Sequence, residues 1–115
     1  METRVAAVID LMRESQADHL SIRTLAKGVN LSAARLRQLF KRETGLSPSK
    51  YLKQLQMNSA AQLLRSSFLS IKEISFRSGA RDTSHFVRDF KKQYGVTPGE
   101  FRTRSRRSSP TSASE

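Results

Sequence analysis

A block of nine residues occurs twice in this chain, 50 positions apart. Phe40-Lys41-Arg42-Glu43-Thr44-Gly45-Leu46-Ser47-Pro48 aligns with Phe90-Lys91-Lys92-Gln93-Tyr94-Gly95-Val96-Thr97-Pro98. Phe, Lys, Gly and Pro recur identically, while Arg42/Lys92, Leu46/Val96, Ser47/Thr97 and Tyr51/Phe101 recur in kind. Leu36 and Phe86 keep the offset of 50 upstream. Ser21-Ile22-Arg23 matches Ser70-Ile71-Lys72, and Leu25 matches Ile74, at an offset of 49. A length difference of one residue therefore falls between these blocks, in the turn region. A unit of this length seen only twice is a duplication; a solenoid needs at least about three stacked units. Whatever one copy folds into, this chain folds into twice.

The local signals inside each copy are helical. Val5, Val8, Ile9 and Met12 fall at i, i+3, i+4 and i+7, the spacing of one amphipathic face. Ser21 is an N-cap for a short helix carrying Ile22, Leu25 and Ala26 that ends near Gly28. Ser32 caps a second helix with Leu36, Leu39 and Phe40 inward, and Gly45 stops it. Ser47-Pro48 places a cap before a proline at the first helical position, opening a long helix to about Arg65. Leu52, Leu55, Ala60, Leu63 and Leu64 lie near one stripe of it. Ser70 caps a short helix with Ile71 and Ile74 that ends near Gly79. Asp82 caps the next, with Phe86 and Phe90 inward and Gly95 as its stop. Thr97-Pro98-Gly99-Glu100 is a capping box for a final short helix with Phe101 inward. No stretch alternates with period two, so the expected class is all-α with seven helices. Residues 104–115 are Arg, Ser, Thr, Pro and Ala without an apolar face and are expected to be a disordered basic tail.

Composition then narrows the chemistry. The chain has 115 residues, no cysteine and two histidines. Disulfides, thiolate metal sites and cysteine nucleophiles are excluded, and no metal or cofactor is expected. Ser84 has no base-and-acid constellation beside it, so no enzyme is expected. No apolar run approaches the roughly 18 residues of a membrane span. The net charge is +11, which attracts polyanions. Residues 1–20 are net acidic, whereas residues 21–68 carry nine basic side chains and one acidic. A merely solvated face mixes both signs, so this excess points to a polyanion-binding face.

Each copy reads as a short helix, a tight turn, a longer helix, then Gly and Ser/Thr-Pro. A short helix crossing a second one steeply is the helix-turn-helix arrangement, whose second helix enters the major groove. A plain helical bundle has the same pattern, and the outward faces argue against it. Opposite Leu36 and Phe40 stand Ala34, Arg35, Gln38 and Arg42; opposite Phe86 and Phe90 stand Ser84, His85, Arg88 and Lys92. Both sets combine small residues with hydrogen-bonding or basic ones and contain no acid.

At this point the sequence resembles the C-terminal DNA-binding domain of the AraC/XylS family of bacterial transcription regulators, over about residues 4–103. The matching elements are Leu36-x-x-x-Phe40-Lys41-x-x-x-Gly45-x-Ser47-Pro48-x-x-Tyr51-Leu52, then Ala60-x-x-Leu63-Leu64 and Ile71-x-x-Ile74-x-x-x-x-Gly79. They continue as Ser84-x-Phe86-x-Arg88-x-Phe90-Lys91-x-x-x-Gly95-x-Thr97-Pro98-x-x-Phe101-Arg102. The resemblance implies a duplicated, homeodomain-like fold within a domain spanning residues 1–103. Its first helix-turn-helix covers about 21–45, its linker helix about 48–65 and its second helix-turn-helix about 70–95. A linker of about 18 residues spans about 27 Å, compatible with recognition helices in successive major grooves about 34 Å apart. The expected function is a sequence-specific transcription regulator that binds double-stranded DNA as a monomer on one asymmetric site. The alternative is a non-specific architectural nucleic-acid-binding protein. RNA polymerase is the further partner that the family implies, the bacterial cytoplasm and nucleoid the location, and no membrane is involved. The family's separate sensing or dimerisation domain has no room in 115 residues.

The resemblance also distributes roles. Base reading falls to Ala34, Arg37, Gln38, Thr83, Ser84, Val87 and Arg88. Phosphate contact falls to Arg35, Lys41, Arg42, Arg81, His85, Lys91 and Lys92. His19 is expected at the surface, with no ligand role. Four positions depart from the family pattern. Gln38 and Gln56 stand where arginine is usual, and Ser75 and Ala80 replace the usual Ala and Phe. Gln38 bears on base preference, Gln56 on a structural or phosphate contact, and Ala80 shrinks an apolar plug.

Overall fold

The structure is a computed structural model that describes residues 1–14, 20–80 and 82–107. These residues form seven α-helices and no strand: α1 Thr3–Glu14, α2 Ile22–Gly28, α3 Ala33–Thr44, α4 Pro48–Ser66, α5 Ile71–Arg77, α6 Thr83–Tyr94 and α7 Pro98–Arg107. The expected helices are all present. Two compact units divide the chain, Met1–Gln56 and Met57–Glu115, and each builds its own core.

In the first unit Val5, Val8, Ile9 and Met12 of α1 bury against Leu25, Ala26, Leu36, Leu39 and Phe40. Glu2 caps α1 through its carboxylate, which accepts from the amides of Arg4 at 2.6 Å and Val5 at 3.1 Å. The Glu2 amide in turn donates to Glu43 Oε1 at 2.8 Å, fastening the start of α1 to α3. In the second unit Met57, Ala60, Ala61 and Leu64 of α4 bury with Ile74, Phe86 and Phe90.

The duplication survives in packing detail. Phe40 meets Tyr51 edge-on at 5.3 Å, and Phe90 meets Phe101 edge-on at the same 5.3 Å, each pair at matching repeat positions. The turn before each longer helix holds one left-handed residue, Asn30 with φ 59° and Gly79 with φ 78°. These two lie 49 apart, and so do Leu31 and Ala80, which pack against their respective cores. Ser32 and Asp82 already lie 50 apart, so the extra residue enters between Ala80 and Asp82. Gly28, expected near the end of α2, is its last helical residue; the left-handed conformation falls two residues later, on Asn30.

Two expectations are corrected. The apolar positions of α4 do not form one stripe. Tyr51, Leu52 and Leu55 pack against the first core, and Met57, Ala60, Ala61 and Leu64 belong to the second. Gln56, the last residue of the first unit, is a buried polar side chain, 6% exposed.

The second correction concerns the tail. Residues 104–107 are not disordered: α7 continues through Arg107. A capping box opens it, with Thr97 Oγ1 accepting from the Glu100 amide at 3.2 Å and Glu100 Oε1 accepting from the Thr97 amide at 2.9 Å. Its last turns are held by polar contacts and not by an apolar face. Arg102 donates to the carbonyls of Leu64 at 3.1 Å and Ser67 at 3.2 Å, and Arg106 donates to Ser67 at 2.7 Å. The Arg106 guanidinium also lies 4.7 Å from the ring centre of Phe68. These cations satisfy carbonyls that the end of α4 leaves without helical donors. The remainder of the expected tail, 108–115, lies outside the described residues.

Candidate nucleic-acid interface

Each recognition helix is set by its ends. Ser32 Oγ accepts from the Arg35 amide at 3.1 Å to start α3, and Asp82 Oδ1 accepts from the His85 amide at 2.8 Å to start α6. Gly45 and Gly95 end them with φ of 81° and 82°, values L side chains rarely adopt. The inward face of α3 buries Leu36, Leu39 and Phe40; that of α6 buries Phe86 and Phe90. Register then dictates the outward face. Ala34, Arg37, Gln38 and Lys41 stand at i, i+3, i+4 and i+7, and so do Ser84, Val87, Arg88 and Lys91.

Ala34, Arg37, Gln38 and Lys41 are exposed, and Arg35 and Arg42 are exposed along the edge of the same helix. Within the described residues none of these side chains is engaged in an ion pair or side-chain hydrogen bond. Their charges and amide are therefore available to a ligand. Glu43, the one acid between residues 21 and 68, accepts from the Glu2 amide. On α6, Ser84, Arg88, Lys91 and Lys92 are exposed. Val87 and Thr83 are half-buried, and Val87 packs against the second core, so it presents only part of its surface.

His85 has a role that was not anticipated. Its Nδ1 lies 2.9 Å from Asp82 Oδ1, so the ring braces the cap of its own helix. The backbone amide of His85, followed by its ring, holds the Asp82 carboxyl below the usual carboxylate range. Arg81 and His19 lie outside the described residues.

A basic cleft was missed in the sequence. A cavity of about 440 Å³ lies between α2 and the start of α3 and is lined by Arg23, Thr24, Lys27, Leu31 and Ser32, among others. Arg23 and Lys27 are exposed and stand at i and i+4 on α2. Their i, i+4 spacing is the sequence signal for this cleft, and it is a weak one because α2 spans only seven residues. No group of three His, Cys, Asp or Glu side chains converges among the described residues, and no helix among them is long and apolar enough to cross a membrane.

The family model for a helix-turn-helix domain matches residues 25–104. The HTH-type transcriptional regulator MtrA of Neisseria gonorrhoeae is 30% identical over 101 residues, 88% of this chain and 34% of that protein. The lactose operon transcription activator of Staphylococcus xylosus is 32% identical over 94 residues, 82% of this chain and 34% of that protein. The chain thus spans about a third of the length of these curated relatives. Among solved structures, an AraC-type transcriptional regulator from Chromobacterium violaceum is 32% identical with a TM-score of 0.85, covering 93% of this chain and 94% of that one. The DNA-binding domain of AdpA, a global transcriptional factor solved with a target DNA, is 26% identical with a TM-score of 0.89, covering 95% of this chain and 98% of that one. Two capped helix-turn-helix units, the helix order and these matches lead to one conclusion: this chain belongs to the AraC/XylS family of transcription regulators, as a DNA-binding domain of that type.

Proposed function

We propose that this chain binds double-stranded DNA sequence-specifically and without enzymatic turnover, reading two adjacent major-groove segments of one asymmetric site as a monomer. The observation that carries the reading is the outward stripe of each recognition helix. It pairs a small residue, Ala34 or Ser84, with a side chain that hydrogen-bonds base edges, Gln38 or Arg88, one turn later. The small residue lets the backbone approach the groove; the longer one reaches the bases. Arg37 joins the base-reading set, and Thr83 and Val87 complete it at the margin of α6. Lys41 and Lys91, with Arg35, Arg42, Lys92 and Arg81, take phosphates that fix register without carrying sequence information. His85 belongs to this margin through the cap that it braces. The DNA-binding domain is assigned to residues 1–107, through the end of α7, its work to the bacterial cytoplasm and nucleoid, and RNA polymerase is the partner through which a bound regulator acts.

Selection of bound sequences from a random duplex pool tests this. The expected product is one asymmetric motif with two conserved segments about one helical turn apart. Equal affinity for selected and scrambled duplexes identifies a non-specific architectural protein instead. A strict palindrome bound only by a dimer overturns the monomer reading.

A further inference from the structure

The two repeats differ on the helix that precedes the recognition helix. On α2 the outward residues include Arg23, Thr24 and Lys27. At the offset of 49 their counterparts on α5 are Lys72, Glu73 and Phe76. The exchange replaces a cation with an exposed phenylalanine, 79% accessible, and introduces an acid. Glu73 then engages a cation of its own helix, Arg77 Nε, at 3.0 Å. Arg23 and Lys27 have no such partner within the described residues, and both line the cleft of about 440 Å³ beside α3. The wider balance runs the same way. Residues 22–44 carry six basic side chains and one acidic, whereas residues 71–94 carry six basic and three acidic.

We infer that the first repeat, and not the second, holds the sugar-phosphate backbone of the bound duplex through its leading helix. Arg23 and Lys27 supply the two cations, and the cleft between α2 and α3 admits the strand. The inference rests on the DNA-binding reading above and adds a division of labour. The first repeat anchors the chain on any duplex with four or more phosphate-seeking side chains, and the second contributes mainly through α6. In helix-turn-helix proteins the first helix crosses the backbone, so an i, i+4 cation pair on that helix is placed for consecutive contacts. Phosphate contacts release condensed counterions, at about 0.9 in the slope of log affinity against log salt per phosphate.

The test uses the full 115-residue chain and titrates one selected and one scrambled duplex at several salt concentrations. Arg23→Gln and Lys27→Gln should each reduce the slope by about 0.9, and the double variant by about 1.8, equally for both duplexes. Between 50 and 200 mM salt, a lost slope of about 1.8 changes the affinity ratio roughly twelvefold. Arg23→Lys with Lys27→Arg should keep the full slope, because charge and not shape is required. Lys72→Gln, the counterpart change on α5, should leave the slope unaltered. Both helix faces are exposed, so circular dichroism and melting should stay as in the unaltered chain. An unchanged slope in the double variant overturns the anchor, and an equal loss from Lys72→Gln overturns the asymmetry between repeats. If the unaltered chain binds no duplex, the DNA-binding reading falls and this inference with it. Steep binding by the unaltered chain with flat responses to the variants removes this inference alone.

Discussion

Gln38 stands one turn after Ala34 on the exposed face of α3, where the family resemblance leads us to expect arginine. An amide offers one donor and one acceptor, which matches N6 and N7 of adenine. A guanidinium offers donors only, which matches O6 and N7 of guanine. One base pair in the first half of the site is therefore expected to prefer A·T. Gln38→Arg should move that position toward G·C, with discrimination of about 1–3 kcal/mol for a good bidentate pair. Competition binding across all four base pairs at each site position measures it. If neither Gln38→Arg nor Gln38→Ala changes any ranking, Gln38 does not read bases. Asp82 sets a second expectation. Its carboxyl is held below the usual range by the His85 amide and then the His85 ring. A carboxylate depressed in the folded state contributes stability that is fully present above its unfolded pKa. That contribution is lost as pH falls through the folded value, hence below about pH 4. Asp82→Ala should therefore lower stability at pH 7 and lose its effect at strongly acid pH, as read by urea denaturation at both. An equal deficit at all pH values would mean that the capping charge is immaterial. The cap itself was readable from Asp82 preceding an apolar-periodic run. The His85 contact was not, because side-chain pairing at i, i+3 depends on rotamers.

Between helices, the main departure from the sequence reading lies in α7 and the segment that closes α4. Arg102 spans two carbonyls of α4 and its following turn, and burial lowers its pKa from the ordinary arginine value. Arg106 adds a third contact on Ser67 and covers Phe68. Truncation after Thr103 removes Arg106 and the last turn of α7. It should cost about 0.5–1.5 kcal/mol, the worth of one surface hydrogen bond to a carbonyl, and lower the melting temperature by several degrees. Arg102→Ala should cost more, about 1.5–3 kcal/mol, because a partly buried charged donor is lost and the Leu64 carbonyl is left unmet, while Ser67 keeps Arg106. Thermal melts of the two variants beside the full chain decide the order; a truncated chain that melts like the full one would show that Arg106 does not hold α7. The caps at Ser21, Ser32 and Ser70 were readable because capping is a local contact spanning three residues. The α7 contacts join residues 35 to 39 positions apart, and such pairs leave no periodic trace.

For the whole chain, the net charge of +11 and the pair of recognition helices set one combined expectation. Duplex binding should weaken steeply with salt, with log affinity falling linearly in log salt by about 0.9 per phosphate neutralised. One chain should occupy one site. Titration by fluorescence anisotropy at several salt concentrations, with sedimentation of the complex, checks both. A nearly flat salt dependence would place the basic surface away from the phosphates. Two chains per site would mean that the repeats do not both engage from one molecule.

Local chemistry was enough for much of this protein. The duplication, seven helices, their N-caps and the glycine stops at Gly45 and Gly95 follow from spacing over a few residues, where propensity and capping act. The outward stripes follow too, since burying Leu36 and Phe40 forces Ala34 and Gln38 to the other side. Four features were settled by the tertiary structure alone. The apolar positions of α4 are divided between two cores, because each core takes what the partner helices leave uncovered. The left-handed turn residue of the first repeat is Asn30 and not Gly28, which shows only in the structure, where the Leu31 amide closes onto the Ala26 carbonyl at 2.9 Å. The end of α7 is kept helical by arginines docked on distant carbonyls. Arg23 and Lys27 stand at i and i+4 in the sequence, but they wall a cleft only once the turn lays α2 beside the start of α3.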